Sequence, residues 1–189
     1  MKLFKQVFHG AILKRVEDFV NERAPTVRVV SLNDLSHAIG QETKPPKEHF
    51  LSIRQDKELP FVHKGDLVFG LTAHQSMVVE AALDGALLSS NFVKLELDEN
   101  YVDRYFMMWF INQSQDFRRL LEKLKQGSIT KSLSIEGLRD LKTELPSIEK
   151  QELIGNLYRL ELKRIKLNLQ KHRIYKQYLK SLYQEKGNK

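Results

Sequence analysis

The chain has 189 residues, of which 41% are hydrophobic and 29% are charged, a composition typical of a soluble protein with one sizeable core. It contains no cysteine, which excludes disulfide bonds and thiolate metal sites and predicts a cytoplasmic protein. The net charge of +7 lies entirely in the C-terminal part, because residues 149–189 carry eleven basic and four acidic side chains while residues 1–148 are balanced. Such an excess is typical of a surface for nucleic-acid phosphate or an acidic partner, and equally of the solvated face of a long helix.

The first segment, residues 2–23, carries apolar pairs about four residues apart. This spacing predicts an amphipathic helix that ends before Pro25 and forms an N-terminal element, residues 1–24. Charged side chains such as Lys5 and Lys14 interrupt the apolar residues, so the segment is neither a signal peptide nor a membrane span.

The next part of the chain has the pattern of a domain built on a β-sheet. A short strand is predicted at Val27–Val30, a helical turn at Ser31–Ile39, and an exposed polar loop at Gln41–His49. The strands predicted after this loop are Phe61–Val62, Leu67–Leu71, Met77–Leu83 and Phe92–Leu97. The last of them alternates strictly between apolar and charged side chains, which indicates one buried face.

Helices are predicted to follow the sheet. Asp98 or Asn100 can cap a helix from Tyr101, and a break is expected near Gln113-Ser114. The aromatic side chains of this region have helical spacing, so they are assigned to the core rather than to a base-stacking platform. A Gly-Ser turn and a short strand that ends at Leu145-Pro146 complete the segment.

From about Glu149 to Gln184 the chain has the pattern of one helix about 50 Å long. Its apolar side chains recur every three or four residues, as in a coiled coil. The domain cannot cover the whole helix, so the distal part is expected to pair with another helix, in a homodimer or with a partner subunit. The residues predicted to form this interface are Ile154, Tyr158, Leu162, Ile165, Leu169, Tyr175, Leu179 and Leu182.

Motifs for catalysis are absent from the sequence. It has no phosphate-binding glycine loop, no dinucleotide fingerprint, no cysteine nucleophile and no pair of histidines at the spacing of a helical zinc site. His63 and His74 flank one predicted hairpin, but two exposed loop histidines are the favoured interpretation. No catalytic, cofactor-binding or metal-binding residue is therefore predicted.

Three segments carry a resemblance to a known family: HKGDLVFGLTAHQSMVVEA, ALLSSNFVKLEL, and the stretch from YVDRYFMMWF to PSIEKQELI. They contain a Gly-Asp strand, a helix that ends before a Gly-Ser turn, a proline-containing segment and a long helix, in that order. This order resembles the DNA specificity (S) subunit of type I restriction-modification systems. The resemblance implies an α+β fold in which a target-recognition domain, residues 25–146, with a mixed or antiparallel sheet and packed helices, precedes a long coiled-coil helix, residues 147–189.

Two departures from the family pattern affect the interpretation. A full-length member has two recognition domains and two helical spacers, whereas this sequence shows one of each, as in a half subunit. Two copies joined through antiparallel long helices would then read a bipartite palindromic site. In addition, Lys150 stands where the family usually has an acidic residue, which puts contacts at that position in doubt.

The resemblance implies a non-catalytic subunit that brings a methyltransferase subunit, with or without a restriction subunit, to double-stranded DNA. S-adenosylmethionine would bind the methyltransferase, so no cofactor is expected on this chain. Loop residues would read bases or hold phosphate. The DNA-binding candidates are Thr43, Lys44, Lys47 and His49 in the polar loop, Thr72, His74 and Gln75 in the hairpin, and Ser128, Thr130 and Lys131 in the Gly-Ser turn.

A second hypothesis fits part of the same pattern. The chain could be a coiled-coil adapter or regulator that binds the methyltransferase subunit without reading DNA. The balanced charge of residues 1–148 favours this hypothesis, because a domain that makes many phosphate contacts usually has a local basic excess.

Overall fold

The computed structural model describes residues 2–18, 24–41, 46–54, 58–126 and 133–185. The strands are β1 Gln6–His9, β2 Thr26–Arg28, β3 Phe50–Ser52, β4 Phe61–Val62, β5 Leu67–Gly70, β6 Gln75–Val78, β7 Ala86–Leu87 and β8 Phe92–Glu96. The helices are α1 Leu13–Val16, α2 Leu32–Ala38, α3 Arg104–Gln113, α4 Gln115–Gln126, α5 Ile135–Arg139 and α6 Ile148–Glu185, with a 3₁₀ turn at Ala81–Leu83. The α+β fold with a long C-terminal helix is confirmed.

The central sheet has four antiparallel strands in the order β1-β8-β5-β6. Val93 and Leu95 of β8 are buried, whereas Lys94 between them is partly exposed, so the predicted alternation is confirmed. Strand β5 lies between β8 and β6, and all four of its residues are buried. Two short antiparallel pairs, β2-β3 and β4-β7, enclose a smaller second core beside this sheet.

The predicted N-terminal helix is wrong. The segment forms the edge strand β1, which pairs antiparallel with β8, and α1 is only a single turn. Leu3, Phe4 and Val7 are buried, whereas Phe8 is exposed on the opposite side of the strand. Gly10 packs against the main chain of the loop between β7 and β8. A Cβ added at Gly10 would lie 2.7 Å from the Leu88 carbonyl oxygen. Residues 2–18 therefore belong to the same folded unit as the sheet.

Several boundaries also differ from the sequence-based expectations. Helix α3 begins after Asp103, whose carboxylate accepts a hydrogen bond from the Phe106 N–H at 2.7 Å, so neither Asp98 nor Asn100 is the cap. The predicted break is confirmed, because extended Ser114 separates α3 from α4. No strand ends at Leu145-Pro146 within the described residues; between α5 and α6 the chain is irregular, with one bridge between Lys2 and Lys142.

The aromatic side chains of α3 lie in the core, as predicted from their helical spacing. Phe106 and Phe110 are buried and stack with their ring centroids 5.9 Å apart. Phe110 also meets the buried Phe117 of α4 edge to face at 5.7 Å, and Phe117 meets Phe69 of β5. These contacts fasten α3 and α4 to the sheet, and the partly buried Tyr105 and Trp109 pack against the same core.

The first turns of α6 are joined to the start of α3 by one buried amide, that of Gln151. Its oxygen accepts the Asp103 N–H at 3.1 Å, and its nitrogen donates to the carbonyl oxygens of Tyr101 and Pro146 at 3.0 and 2.9 Å. One turn later, Gly155 lets the two helices approach so closely that an added Cβ would lie 2.6 Å from the Phe106 nitrogen. The direction of the long helix is therefore fixed by hydrogen bonds and by backbone contact.

Replacement of Gln151 by alanine should destabilise the fold. The change leaves one part-buried N–H and two part-buried carbonyl hydrogen bonds without their partner, so we expect the free energy of unfolding to fall by about 3 kcal/mol. Urea denaturation measures this loss, with Gln170→Ala, at an exposed glutamine of the same helix, as the matched control. Equal stability of the two variants would contradict the role given to the amide.

Candidate nucleic-acid interface and exposed helix faces

Two of the predicted DNA-binding residues, Lys47 and His49, lie in the polar loop before β3, and both are exposed. Thr43 and Lys44 lie outside the described residues. The loop's main chain is held in place, because the His49 carbonyl oxygen accepts the Val29 N–H at 2.8 Å. The side chains of Lys47 and His49 therefore project from a fixed backbone, as a recognition surface requires.

A largely buried guanidinium stabilises this loop. Arg28 of β2 donates to Asp34 of α2 at 2.8 Å, to Glu48 at 2.9 Å and to the Ala82 carbonyl oxygen at 2.8 Å. The Arg28 and Asp34 side chains are only 15% and 3% exposed. Asp34 also forms a capping box with Ser31 at the start of α2. One cation thus joins β2, α2, the loop and the 3₁₀ turn.

The hairpin between β5 and β6 carries the second group of candidates. Thr72 is exposed at the turn, and His74, with φ at +53°, reverses the chain while its N–H donates to the Gly70 carbonyl oxygen at 2.9 Å. Gln75 is partly buried and lines a cleft of about 350 Å³ together with Gln41, Asn112 and Glu161. The hairpin can therefore offer one exposed hydroxyl, one imidazole and one amide to a ligand.

The two described groups of candidates lie on different sheets. Lys47 and His49 precede β3, which pairs with β2, whereas the hairpin belongs to the four-stranded sheet. The third group, Ser128, Thr130 and Lys131, lies outside the described residues.

One side of α6 faces the chain's own domain. Ile154, Tyr158 and Leu162 pack in the main core, and the Tyr158 hydroxyl accepts a hydrogen bond from the Asn112 amide at 3.2 Å. All three were predicted to meet a partner; that prediction needs correction for Tyr158 and Leu162, which the chain's own core buries, whereas Ile154 is partly buried against the same core. Lys166 closes this side of the helix with a 2.6 Å ion pair to Glu80.

The remaining predicted interface residues become more exposed along the helix. Ile165 and Leu169 are partly buried, and Ile165 packs against Gly40, whose φ of +74° ends α2. The distal residues Tyr175, Leu179 and Leu182 are exposed. The expectation that the domain covers only the proximal part of the helix therefore agrees with the observed burial.

A second apolar stripe runs along the opposite side of α6 and was missed in the sequence. Its apolar side chains are each between 54% and 60% exposed. They are Leu153, Leu157, Leu160, Leu167, Ile174 and Tyr178. The spacing of these residues is a signal that the sequence carries. When Arg164 and Lys171 are added to the six apolar residues, the eight positions follow one another in alternating steps of four and three residues. We call these eight positions the outer seam.

Charge is distributed unequally along the same helix. Residues 148–162 contain three acidic and two basic side chains, whereas residues 163–185 contain one acidic and seven basic ones. The two halves of α6 are thus of opposite sign. The distal half is a strongly basic rod that carries exposed apolar side chains.

No group of three or more His, Asp or Glu side chains in the described part of the chain could hold a metal ion. No described helix is long and apolar enough to cross a membrane.

Comparison with known proteins gives a likeness in structure. No family model and no curated protein matches the sequence. The crystal structure of the HsdS subunit from Thermoanaerobacter tengcongensis superposes with a TM-score of 0.59 over 96% of this chain and 45% of that chain, at 14% sequence identity. The chain has the fold of an HsdS subunit, the specificity subunit of type I restriction-modification systems.

A second solved structure agrees with the first. It is described as the structural basis underlying complex assembly and conformational transition of the type I R-M system, and it matches 95% of this chain and 44% of that chain at 12% identity and a TM-score of 0.50. The chain therefore spans less than half the length of either HsdS-like chain. At these identities the likeness concerns the fold, and the residues of a recognition site have to be argued from this chain itself.

The hairpin imidazole predicts a pH dependence of stability. Partial burial lowers the pKa of His74 from its usual 6.5, and the charge of Lys125 acts in the same direction, against the smaller opposite effect of Glu122. The unfolded chain therefore takes up this proton at a higher pH than the folded protein does. As a result, folding stability falls as the pH drops below 6.5.

Replacement of His74 by asparagine should flatten this dependence. Asparagine tolerates the positive φ and does not titrate. We expect the urea midpoint of the variant to fall less than that of the wild type between about pH 7.5 and about pH 5.5. Parallel pH profiles for the two proteins would show that His74 does not contribute.

Proposed function

We propose that this chain is the sequence-specific DNA-recognition subunit of a type I restriction-modification system, in the form of a half subunit. The observation that carries the proposal is the structural likeness, which covers 96% of this chain but only 45% of the HsdS chain. One sheet-based domain followed by one long helix is half of the two-domain, two-spacer arrangement that the family resemblance implies. Residues 25–146, together with β1, would be the recognition domain, and residues 147–189 the spacer.

A half subunit needs a second copy in order to read both parts of a bipartite site. Two chains related by a two-fold axis would present identical recognition domains, and the site would then be palindromic. The exposed apolar side chains of α6 support this association. A helix that extends beyond its own domain can bury such side chains only when another helix covers them. The length of the helix would set the spacing between the two half-sites.

The fixed loops of the domain are proposed to contact DNA. Lys47 is suited to phosphate, and Gln75 can form two hydrogen bonds with adenine in the major groove. The basic distal half of α6 would lie between the two recognition domains and would supply further positive charge there. Methyl transfer, with S-adenosylmethionine, would take place in a methyltransferase subunit recruited by this chain, with or without a restriction subunit.

The alternative is an adapter or regulator that binds the methyltransferase subunit without reading DNA. One observation favours it: the globular part has as many acidic as basic side chains. Both functions require recruitment of the methyltransferase, so recruitment does not separate them. Direct DNA binding does.

The salt dependence of DNA binding should distinguish the two functions. If the chain contacts phosphates, its affinity for duplex DNA should fall steeply between about 50 mM and about 200 mM salt, since each contact releases a counterion. Fluorescence anisotropy with a labelled duplex measures the slope. Absence of binding at the lowest salt, from a protein that still recruits methyltransferase, would favour the adapter.

A single substitution tests the loop itself. Lys47→Ala should lower the salt slope by about one and weaken binding to all sequences to a similar extent. The matched control is Lys142→Ala, which removes the same charge at an exposed position that forms a bridge with Lys2. Equal slopes for the two variants would exclude Lys47 from the interface.

A further inference from the structure

The outer face of the small β2-β3 sheet carries an exposed aromatic ring. Val27 and Leu51 pair across the two strands and pack in the second core. Side chains alternate between the two faces of a strand, so the neighbouring side chains are on the outer face. They are Arg28 and Phe50, which form one cross-strand pair, and Thr26 and Ser52, which form the next. Phe50 is 52% exposed, so about half of its surface stays in water.

The backbone that carries this ring is held from both sides. On one side β3 pairs with β2. On the other side the Asp18 N–H donates to the Ser52 carbonyl oxygen at 2.9 Å, and the Arg54 N–H donates to the Val16 carbonyl oxygen at 3.0 Å. Phe50 therefore belongs to a strand fixed between two neighbouring segments, and a strand positions a contact more precisely than a loop does.

Cations lie on either side of the ring along the chain. Lys47 precedes β3, and Arg54 continues the outward alternation four residues after Phe50. Both cations are exposed, and neither forms an ion pair with another described residue. The acidic side chain between them, Glu48, is already paired with Arg28 at 2.9 Å. This face therefore keeps uncompensated positive charge beside an apolar ring, which is complementary to a polyanion.

Duplex DNA presents one apolar group in its major groove, the C5 methyl group of thymine. The faces of the bases are stacked inside the duplex, so an aromatic ring reaches them only by unstacking a base step. The major groove is about 12 Å wide and admits a two-stranded β-ribbon. An aromatic side chain on such a pair of strands, with cations on either side, therefore has the chemistry to contact a thymine methyl group.

We propose that the outer face of the β2-β3 pair lies against the major groove and that Phe50 recognises thymine through its methyl group. The inference rests on the proposed DNA-recognition function and adds an apolar specificity contact to the polar candidates of the loop. Lys47 and Arg54 contact the flanking phosphates and position the two strands. The hydroxyl groups of Thr26 and Ser52 face the neighbouring base edges.

Removal of single methyl groups from the DNA tests this contact without changing the protein. The probes are duplexes that the full chain enriches from a random-sequence pool. Each thymine of the enriched motif is replaced in turn by deoxyuridine, which lacks only the C5 methyl group, and fluorescence anisotropy measures the affinity. We expect the affinity to fall about fourfold at one thymine position, which is the effect of one buried methyl group.

The variant Phe50→Ala assigns that thymine position to the ring. It should bind the thymine duplex at least about fourfold more weakly than the wild type, and it should bind the thymine and deoxyuridine duplexes equally, since the methyl group has lost its partner. Phe8→Ala is the matched control, because it makes the same change at an exposed phenylalanine of the other sheet, and it should keep the wild-type response to deoxyuridine. Circular dichroism verifies that both variants are folded.

Two results would overturn this inference and leave the DNA-recognition function intact. One is a wild-type protein that binds its enriched duplex but responds to deoxyuridine at no position, as expected if the ring were a wedge between base pairs or contacted no base. The other is a Phe50→Ala variant that keeps the wild-type response at every position. A chain that enriches no duplex from the pool would instead remove the proposed function and this inference together.

Discussion

The packing of α6 against α3 is the constraint on which the rest of the structure depends. The buried amide of Gln151 satisfies the main chain at the start of both helices, and Gly155 allows their backbones to touch. Farther along, the Tyr158 hydroxyl and the Asn112 amide continue the same interface into the sheet, where Asn112 bonds to the main chain of Ser76. A helix held in this way leaves the domain in one direction, so it can act as a spacer of fixed geometry.

This attachment divides the long helix into two faces. The inner face joins the helix to the globular domain over its proximal half, and the outer seam is exposed. The proposed half subunit would need both faces, because the domain would have to be rigid relative to the helix and the helix rigid relative to its partner. Two of the seven basic side chains of the distal half, Arg164 and Lys171, lie within the outer seam, and Lys166 lies on the inner face.

The sequence predicted features with strong local signals and missed those decided by tertiary contacts. The break at Ser114, the long helix and the alternation in β8 followed from periodicity and capping, and the resemblance to the S subunit agrees with the structural likeness. The N-terminal segment was assigned wrongly because apolar pairs four residues apart suit a helix, whereas an open sheet edge beside β8 pairs it as a strand. The first stripe found on α6 was taken for a partner surface because its spacing does not tell which face the domain covers.

The candidate DNA-binding residues were predictable only as exposed polar positions in loops. Their placement on two different sheets depends on the strand order, and the guanidinium of Arg28 that fixes one loop joins residues far apart in the chain. The measurement that tests the central claim most directly is sequencing of modified bases in a host that expresses a type I methyltransferase subunit, with and without this chain. The account predicts a methylated bipartite palindrome that appears only when the chain is present. An identical methylation pattern in the two hosts, although the chain is folded and binds the methyltransferase subunit, would contradict it.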